Sequence, residues 1–439
     1  MPERWQRLAL LVAVSVAPAL ASQPVLSRLV GSGDVLWPSP VAPIEAALSP
    51  RVDGDYVVYY ATAFDGLDSE INGVWLWDGE THQLVIDSSM PDAQAGELGS
   101  AWFDVDAQGM VAVSVEGHAL MGWRDGALFP ILSVGEPPPN GPPGAVVGFL
   151  GRPVVKDGVV YVSANLLGVA VPYQGRLYEW TEELGAREVE LPGSNCCPSP
   201  PAVGPAGELY ATMADPTLPA PAFYTVGQLP SPGAAWQEYF SFGIPFPGGP
   251  PGAHWSLLHD RLAAGEGHVF VLASAFDLGT GTTVPPTGLY RLSVPDQVEP
   301  ILLIGDADPG TGQPITTMQR AFSADGERLA MISGSGPTRT LVSWEEASGA
   351  SALVVSSEGL DGQPVAFLQV TIDGLSGDLL AFEAWRGASA LEAAVWLADF
   401  AGPPPPGPLE VPTLGGTGLA ILATLLAGAG LWVRQARTR

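Results

Sequence analysis

The sequence predicts an all-β fold, a seven-bladed β-propeller closed by its own N-terminal strand, followed by one C-terminal transmembrane helix. Three observations predict it. A turn ending in glycine precedes an apolar, β-branched run seven times, at Gly54, Gly109, Gly158, Gly207, Gly267, Gly326 and Gly377. The separations run from 49 to 60 residues, the length of a four-stranded blade with generous loops. The runs are rich in Val, Tyr and Phe and lack a 3.6-residue period, which sets aside an α-solenoid.

Six of the seven units contain four apolar runs. The most regular copy spans Thr287 to Ser333: GLYRL (Gly288–Leu292), PILLI from Pro300, a Pro/Gly turn, MQRAFSADG, and RLAMIS, with Asp325-Gly326 as the hairpin turn between the last two. The third run recurs as GVWLW (Gly73–Trp77), HALMGW (His118–Trp123), GRLYEW (Gly175–Trp180), TLVSW (Thr340–Trp344) and AAVWL (Ala393–Leu397). It is weakest at AFYTV (Ala222–Val226), beside the Pro-rich insert of unit four. The seventh unit stops at Phe400 without a fourth run, whereas LSRLVGSGD (Leu26–Asp34) precedes the first unit and matches LLIGD. The N-terminal strand is therefore expected to complete the last blade, which leaves only short edges exposed.

The pattern G-(I/L)-(W/Y) … L-V-x-x-G-D-x-x-P-G … F-x8-G-x-V-A-F-x-A, carried best by Gly288–Ile332 and Leu128–Val162, resembles exported bacterial tandem-repeat proteins of unassigned activity. That resemblance covers residues 26–400 and implies a propeller without indicating a reaction.

The two ends read as export features. Residues 1–21 form a signal peptide: Arg4 and Arg7, an apolar core from Leu8 to Val16, and Ala19-Leu20-Ala21 before a cleavage point between Ala21 and Ser22. The repeat domain occupies 22–400, and a Pro-rich spacer fills 401–410. The segment 411–439 holds 20 uncharged residues, Leu414 to Val433, enough to span a bilayer, followed by Arg434, Arg437 and Arg439. Val411-Pro412-Thr413-Leu414 resembles the (I/V)-P-T-L class of bacterial sorting motifs. That resemblance implies Sec-type export and then an exosortase-type protease, with the propeller passed to the cell surface. The alternative is a plain tail anchor that keeps the propeller at the inner membrane.

Charge narrows the partners. With 46 acidic against 18 basic residues and a net charge of −28, nucleic acid and anionic lipid are excluded as partners of the body. Cys196-Cys197 are the only cysteines. Adjacent residues cannot staple distant strands, so a vicinal disulfide bracing the loop, an intermolecular bridge and free thiols are the available states. No catalytic, cofactor or metal set is readable. Asp104-x-Asp106-x-Gln108-Gly109 has alternate oxygens but Val115 where a calcium loop needs its closing glutamate. It reads as a hairpin turn, and such turns, with Asp306 and Asp308, could hold Ca2+ at most weakly. The five histidines lack metal-ligand spacing, and no G-x-S-x-G elbow or P-loop is present.

Tryptophans of the third runs are read as blade packing. The aromatics of the unit-four insert, Phe223, Tyr224, Trp236, Tyr239 and Trp255, are the expected ligand-loop residues. The resulting expectation is a non-catalytic, surface-presented binding or structural module. A polysaccharide-acting enzyme and a membrane-anchored periplasmic scaffold are the alternatives.

Overall fold

A computed structural model describes residues 24–401 except 39–40, 65–69, 95–96, 170–174, 190, 192–199, 215–223, 232–233, 242–245, 247, 278, 294–296, 310, 336–337, 358 and 388–391. The signal peptide with Ala21 and Ser22, the Cys196-Cys197 pair, Phe223 and the motif Val411–Leu414 lie outside the described residues. So does the expected C-terminal span, and among the described residues no helix is long and apolar enough to cross a membrane.

Strand β1 (Val25–Gly31) stands before the first blade. Blade 1 is β2 (Val35–Pro38), β3 (Val41–Asp53), β4 (Tyr56–Phe64), β5 (Glu70–Trp77) and β6 (His82–Asp87). A single helical turn, α1 (Pro91–Gln94), leads to blade 2: β7 (Glu97–Val105), β8 (Val111–Glu116), β9 (Ala119–Arg124) and β10 (Ala127–Ser133). Blade 3 is β11 (Val146–Lys156), β12 (Val159–Leu167), β13 (Gly175–Thr181) and β14 (Gly185–Glu188). Blade 4 is β15 (Ala202–Val203), β16 (Leu209–Ala214), β17 (Tyr224–Leu229) and β18 (Gln237–Ser241). Blade 5 is β19 (Ala253–Gly265), β20 (His268–Asp277), β21 (Thr282–Ser293) and β22 (Gln297–Leu303). Blade 6 is β23 (Thr317–Asp325), β24 (Arg328–Ser335), β25 (Thr338–Glu345) and β26 (Ala350–Ser356). Blade 7 is β27 (Val365–Ser376), β28 (Leu379–Arg386) and β29 (Glu392–Asp399).

Within each blade the strands pair in order and antiparallel, and the expected closure is present. β1 pairs with β29, from Val25 opposite Asp399 to Gly31 opposite Ala394, so blade 7 is built from both ends of the domain. The ring rests on the long strands β3, β7, β11, β19, β23 and β27 with the two-residue β15, each in contact with the next and β27 with β3. These seven first strands surround the axis.

The repeat glycines have a common cause. All seven sit in the turn between the first and second strands with φ between 55° and 81°, a left-handed conformation that costs glycine nothing. These turns share one face of the ring and are stitched from blade to blade by acceptors in or beside the preceding blade's turn. Gly158 N–H donates to Asp106 (2.7 Å), Gly377 N–H to Asp325 (2.6 Å), Gly267 N–H to Glu208 (3.4 Å) and Gly54 N–H to Ser376 (3.0 Å). The opposite face carries the long connections, 134–145 and 304–316 among them.

Packing follows the strand pattern. Val30, Val57, Tyr59, Ala381 and Val395 form one cluster that spans the closure between blades 7 and 1. The third-run tryptophans Trp75, Trp123, Trp344 and Trp396 are buried between blades, as expected for packing residues. The Asp104/Asp106 turn is a structural clamp. One Asp106 oxygen accepts Gln108 N–H (3.0 Å) and Met110 N–H (2.9 Å), the other accepts Gly158 N–H, and Asp104 accepts Val155 N–H (2.7 Å). Asp308 is likewise buried, taking hydroxyl bonds from Ser333 and Thr340.

Closure by β1 is testable through Val30, which is 1% exposed. Val30→Asp places a carboxylate in the shared blade and is expected to cost on the order of 3 kcal/mol in chemical denaturation. A change under about 0.5 kcal/mol would show that the ring does not depend on this strand.

Candidate functional site

The central channel is the feature that the repeat does not require and the sequence does not advertise. Each of the six long first strands breaks its pairing with the second strand near mid-strand, and β3, β11 and β27 break it a second time toward their starts. The mid-strand breaks fall between Leu48 and Arg51, Leu98 and Phe103, Leu150 and Pro153, Leu257 and Leu262, Met318 and Phe322, and Val370 and Leu375. Such bulges insert extra residues and re-aim side chains. The inserted stretches are the ones that interrupt apolar runs with Pro, Gly or charge: Ser49-Pro50-Arg51, Gly151-Arg152, Asp260-Arg261, Gln319-Arg320 and Asp373-Gly374. Ser49 and Asp373 take the left-handed backbone, φ 53° and 61°.

As a result, five of the thirteen basic residues between 24 and 401 lie on the innermost strands: Arg51, Arg152, Lys156, Arg261 and Arg320. Two of them pair with carboxylates from other blades across the axis. Arg152 of blade 3 pairs with Asp373 of blade 7 at 3.1 Å, and Lys156 of blade 3 pairs with Asp53 of blade 1 at 3.0 Å. Asp53 also accepts the Ser376 hydroxyl at 3.1 Å. At this end, toward the turn face, the remaining cavity is only about 50 Å³, bordered by Asp53, Asp104, Lys156, Asp325 and Asp373. The channel is closed there by its own ion pairs.

On the long-loop side of the bulges the same strands carry exposed rings. Phe149 on β11 is 39% exposed and meets Trp102 of β7 edge to face, with centroids 5.3 Å apart. Phe367 on β27 is 38% exposed and packs edge to face against Trp385 at 5.7 Å. Trp385 is oriented by its indole N–H, which donates to buried Glu383 (2.6 Å), and Glu383 also accepts Ser49 N–H (3.1 Å). The axis is therefore graded from aromatic rings on the long-loop side, through the bulge arginines, to a plug of ion pairs.

Burial sets the electrostatics of the lower half. The Arg51 guanidinium is pushed down to about 9 by burial and then by the Arg152 charge, against the pull of Asp373 and Asp104. Burial, reinforced by Asp373, holds the Asp104 carboxyl well above its usual range. Burial also raises Asp53 in spite of Lys156, and raises Glu383 in spite of its two donors.

Four of the five expected ligand-loop aromatics fall on or beside described strands. Tyr224 opens β17 on the long-loop face, Tyr239 lies within β18, and Trp236 precedes β18 on the turn face. Trp255 is corrected from loop to core. It belongs to β19, is fully buried, and packs against Phe246 and Tyr290 at 4.3 and 5.1 Å. Trp236 does line a concavity of about 750 Å³ between blades 3 and 4, with Tyr161, Leu209, Leu229 and the Glu179–Arg187 ion pair. That groove exists because β15 is only two residues long and packs too little against blade 3. Its tryptophan lies flat on Gly227, where any Cβ would come within 2.2 Å of the indole. Among the described residues, no cluster of three or more His, Cys, Asp or Glu could hold a metal ion.

The sequence matches no protein-family model and no curated protein. Its structure is similar to solved propellers at low identity. These include the β-propeller domain of the trilobed protease from Pyrococcus furiosus (9% identity, TM-score 0.49, 81% of this chain and 97% of that one). An oligogalacturonate lyase in complex with manganese shows 10% identity and a TM-score of 0.47 over 86% of this chain and 98% of that one. The WD40 domain of Toxoplasma gondii coronin shows 11% and 0.42 over 88% of each. The assignment of a seven-bladed propeller rests on this chain's own strand order.

The raised carboxyls give a signed pH dependence. Folded Asp104, Asp53 and Glu383 bind protons more tightly than the unfolded chain, so their contribution favours folding at low pH. It is lost as pH rises from the usual carboxylate range through their folded values. Asp104→Asn keeps an acceptor for Val155 N–H and removes a buried group that titrates. The slope of stability against pH between about 4 and 7 is expected to become shallower, as read by denaturant titrations at several pH values. A slope equal to that of the wild type would contradict this assignment.

Proposed function

We propose that this protein is a non-catalytic binding propeller that takes a saccharide of the extracellular matrix or envelope into its central funnel. The observation that carries this reading is the pair of exposed rings, Phe149 and Phe367, with half-buried Trp102 beside the first, on the innermost strands above a closed channel. Aromatic faces held on a rigid scaffold offer flat apolar surface to the C–H faces of sugar rings. Three channel carboxyls among the described residues that could act as acid or base are engaged. Asp53 and Asp373 are tied to Lys156 and Arg152, and Asp104 receives the Val155 amide. A glycoside-cleaving pair needs two carboxyls free to reach a glycosidic oxygen and a nucleophile position.

Export and display at the cell surface belong to the same proposal and rest on the sequence of the two ends. An apolar n-h-c leader before Ser22 and the Val411–Leu414 motif before an apolar segment suit a protein that is translocated and then sorted. A surface-borne propeller with a saccharide site would tether matrix polymer to the cell, a role that needs no turnover.

Two measurements test the proposal. Phe149→Ala combined with Phe367→Ala is expected to weaken binding to host envelope polysaccharide at least roughly tenfold in affinity electrophoresis. Unchanged mobility shifts, or release of new reducing ends by the wild type, would overturn the binding-only reading. Intact mass and fractionation of a tagged protein in its native host are expected to show a surface protein lacking the segment after the sorting motif. An intact tail in the inner membrane would point to the anchored scaffold instead.

A further inference from the structure

Three of the channel arginines occupy one position of the repeat. Arg152, Arg261 and Arg320 each stand six residues before their blade's turn glycine, Gly158, Gly267 and Gly326. Repeat-equivalent residues on the first strands of a ring lie at one level of its axis. Blades 3, 5 and 6 therefore contribute an arc of guanidinium groups, interrupted only at the short first strand of blade 4.

The surroundings say what such an arc would receive. The chain has a net charge of −28, so a diffuse positive surface is absent and cations gathered at one level form a local field of opposite sign. Arg152 already holds a carboxylate, that of Asp373, at 3.1 Å, with side-chain exposures of 12% and 30%. This pair shows the geometry in which the arc accepts an anion. Arg320 lies exposed on β23, and among the described residues it has no ion-pair partner. Deeper in the channel, Arg152 and Arg261 both act on buried Arg51, opposed there by Asp373 and Asp104. Guanidinium groups bind planar oxyanions bidentately and with more directional specificity than lysine.

Spacing connects this level with the aromatic one. Phe149 and Arg152 are three residues apart on β11, about 10 Å along an extended strand. A sugar ring lying against Phe149 and Trp102 would bring a substituent of that ring, or of the next sugar, toward the arc. We propose that the funnel selects saccharides bearing carboxylates, with uronate groups seated on the Arg320 and Arg261 side of the arc. This inference rests on the saccharide-binding reading given above and narrows its ligand class.

The test uses two probes that differ only in the carboxylate: β-1,4-linked oligoglucuronate and β-1,4-linked oligoglucose of equal length, titrated calorimetrically into the mature protein. The oligoglucuronate is expected to bind at least about tenfold more tightly at low ionic strength, with the advantage shrinking as salt is added. Arg320→Gln, at an exposed position where folding is not at stake, is expected to remove most of that advantage and leave oligoglucose binding unchanged. Arg187→Gln in the groove between blades 3 and 4 is expected to change neither. Equal affinities for the two probes, or an Arg320→Gln variant that keeps the preference, would overturn the anionic selection while leaving saccharide binding in place. If neither probe binds and native envelope polysaccharide does, the preference for uronates falls. If nothing binds, the saccharide reading falls with it.

Discussion

Ring closure governs this molecule. Seven twisted sheets packed face to face around an axis leave the first and last blades to be held together, by packing alone or by a shared sheet. Here the tie is β1 lying against β29, with Val30 and Val395 in the same apolar cluster. That pairing converts an open stack with two bare faces into a ring in which each blade is covered on both sides. The turn-face stitches, from Asp106 to Gly158 and onward round to Ser376 and Gly54, then hold the first strands at common height. Because those strands are fixed, anything they carry at equivalent positions is presented as a level of the channel.

The bulges exploit that fixation. A regular first strand would send alternate side chains into the two flanking blade interfaces and give the axis little chemistry. Inserting residues near mid-strand releases Arg51, Arg152, Arg261, Arg320 and Asp373 from that alternation. The cost is visible in the left-handed backbone at Ser49 and Asp373 and in charge buried close to the axis. Ion pairs between non-neighbouring blades, Arg152 with Asp373 and Lys156 with Asp53, offset part of that cost and also seal the channel. Sealing one end turns a tube into a funnel, and a funnel can hold a ligand without passing it through.

Much of this architecture was legible in the sequence. The turn glycines reported the repeat because their positive φ admits few other residues, and the missing fourth run after Phe400 announced that Leu26–Asp34 would close the ring. The functional level was harder to read. Loop composition drew the eye to the aromatics of unit four, yet Trp255 proved to be a core residue of β19, because a Pro-rich stretch ended one residue before a strand began. The exposed rings of the innermost strands, Phe149 and Phe367, sit in ordinary-looking runs, each at a shift in strand register that the runs do not announce. One cue was present: an arginine six residues before the repeat glycine in three units, in runs otherwise apolar. Aligning the units by their glycines brings it out, whereas reading each run alone hides it.

The most direct test of the account is arginine footprinting by dicarbonyl labelling and mass spectrometry, with and without a saturating uronate oligosaccharide. Arg320 and Arg261 are expected to be labelled in the free protein and protected by the ligand, while Arg187 in the groove between blades 3 and 4 keeps its reactivity. Protection confined to Arg187, or spread evenly over surface arginines such as Arg124, would place the ligand elsewhere and contradict the central funnel as the site.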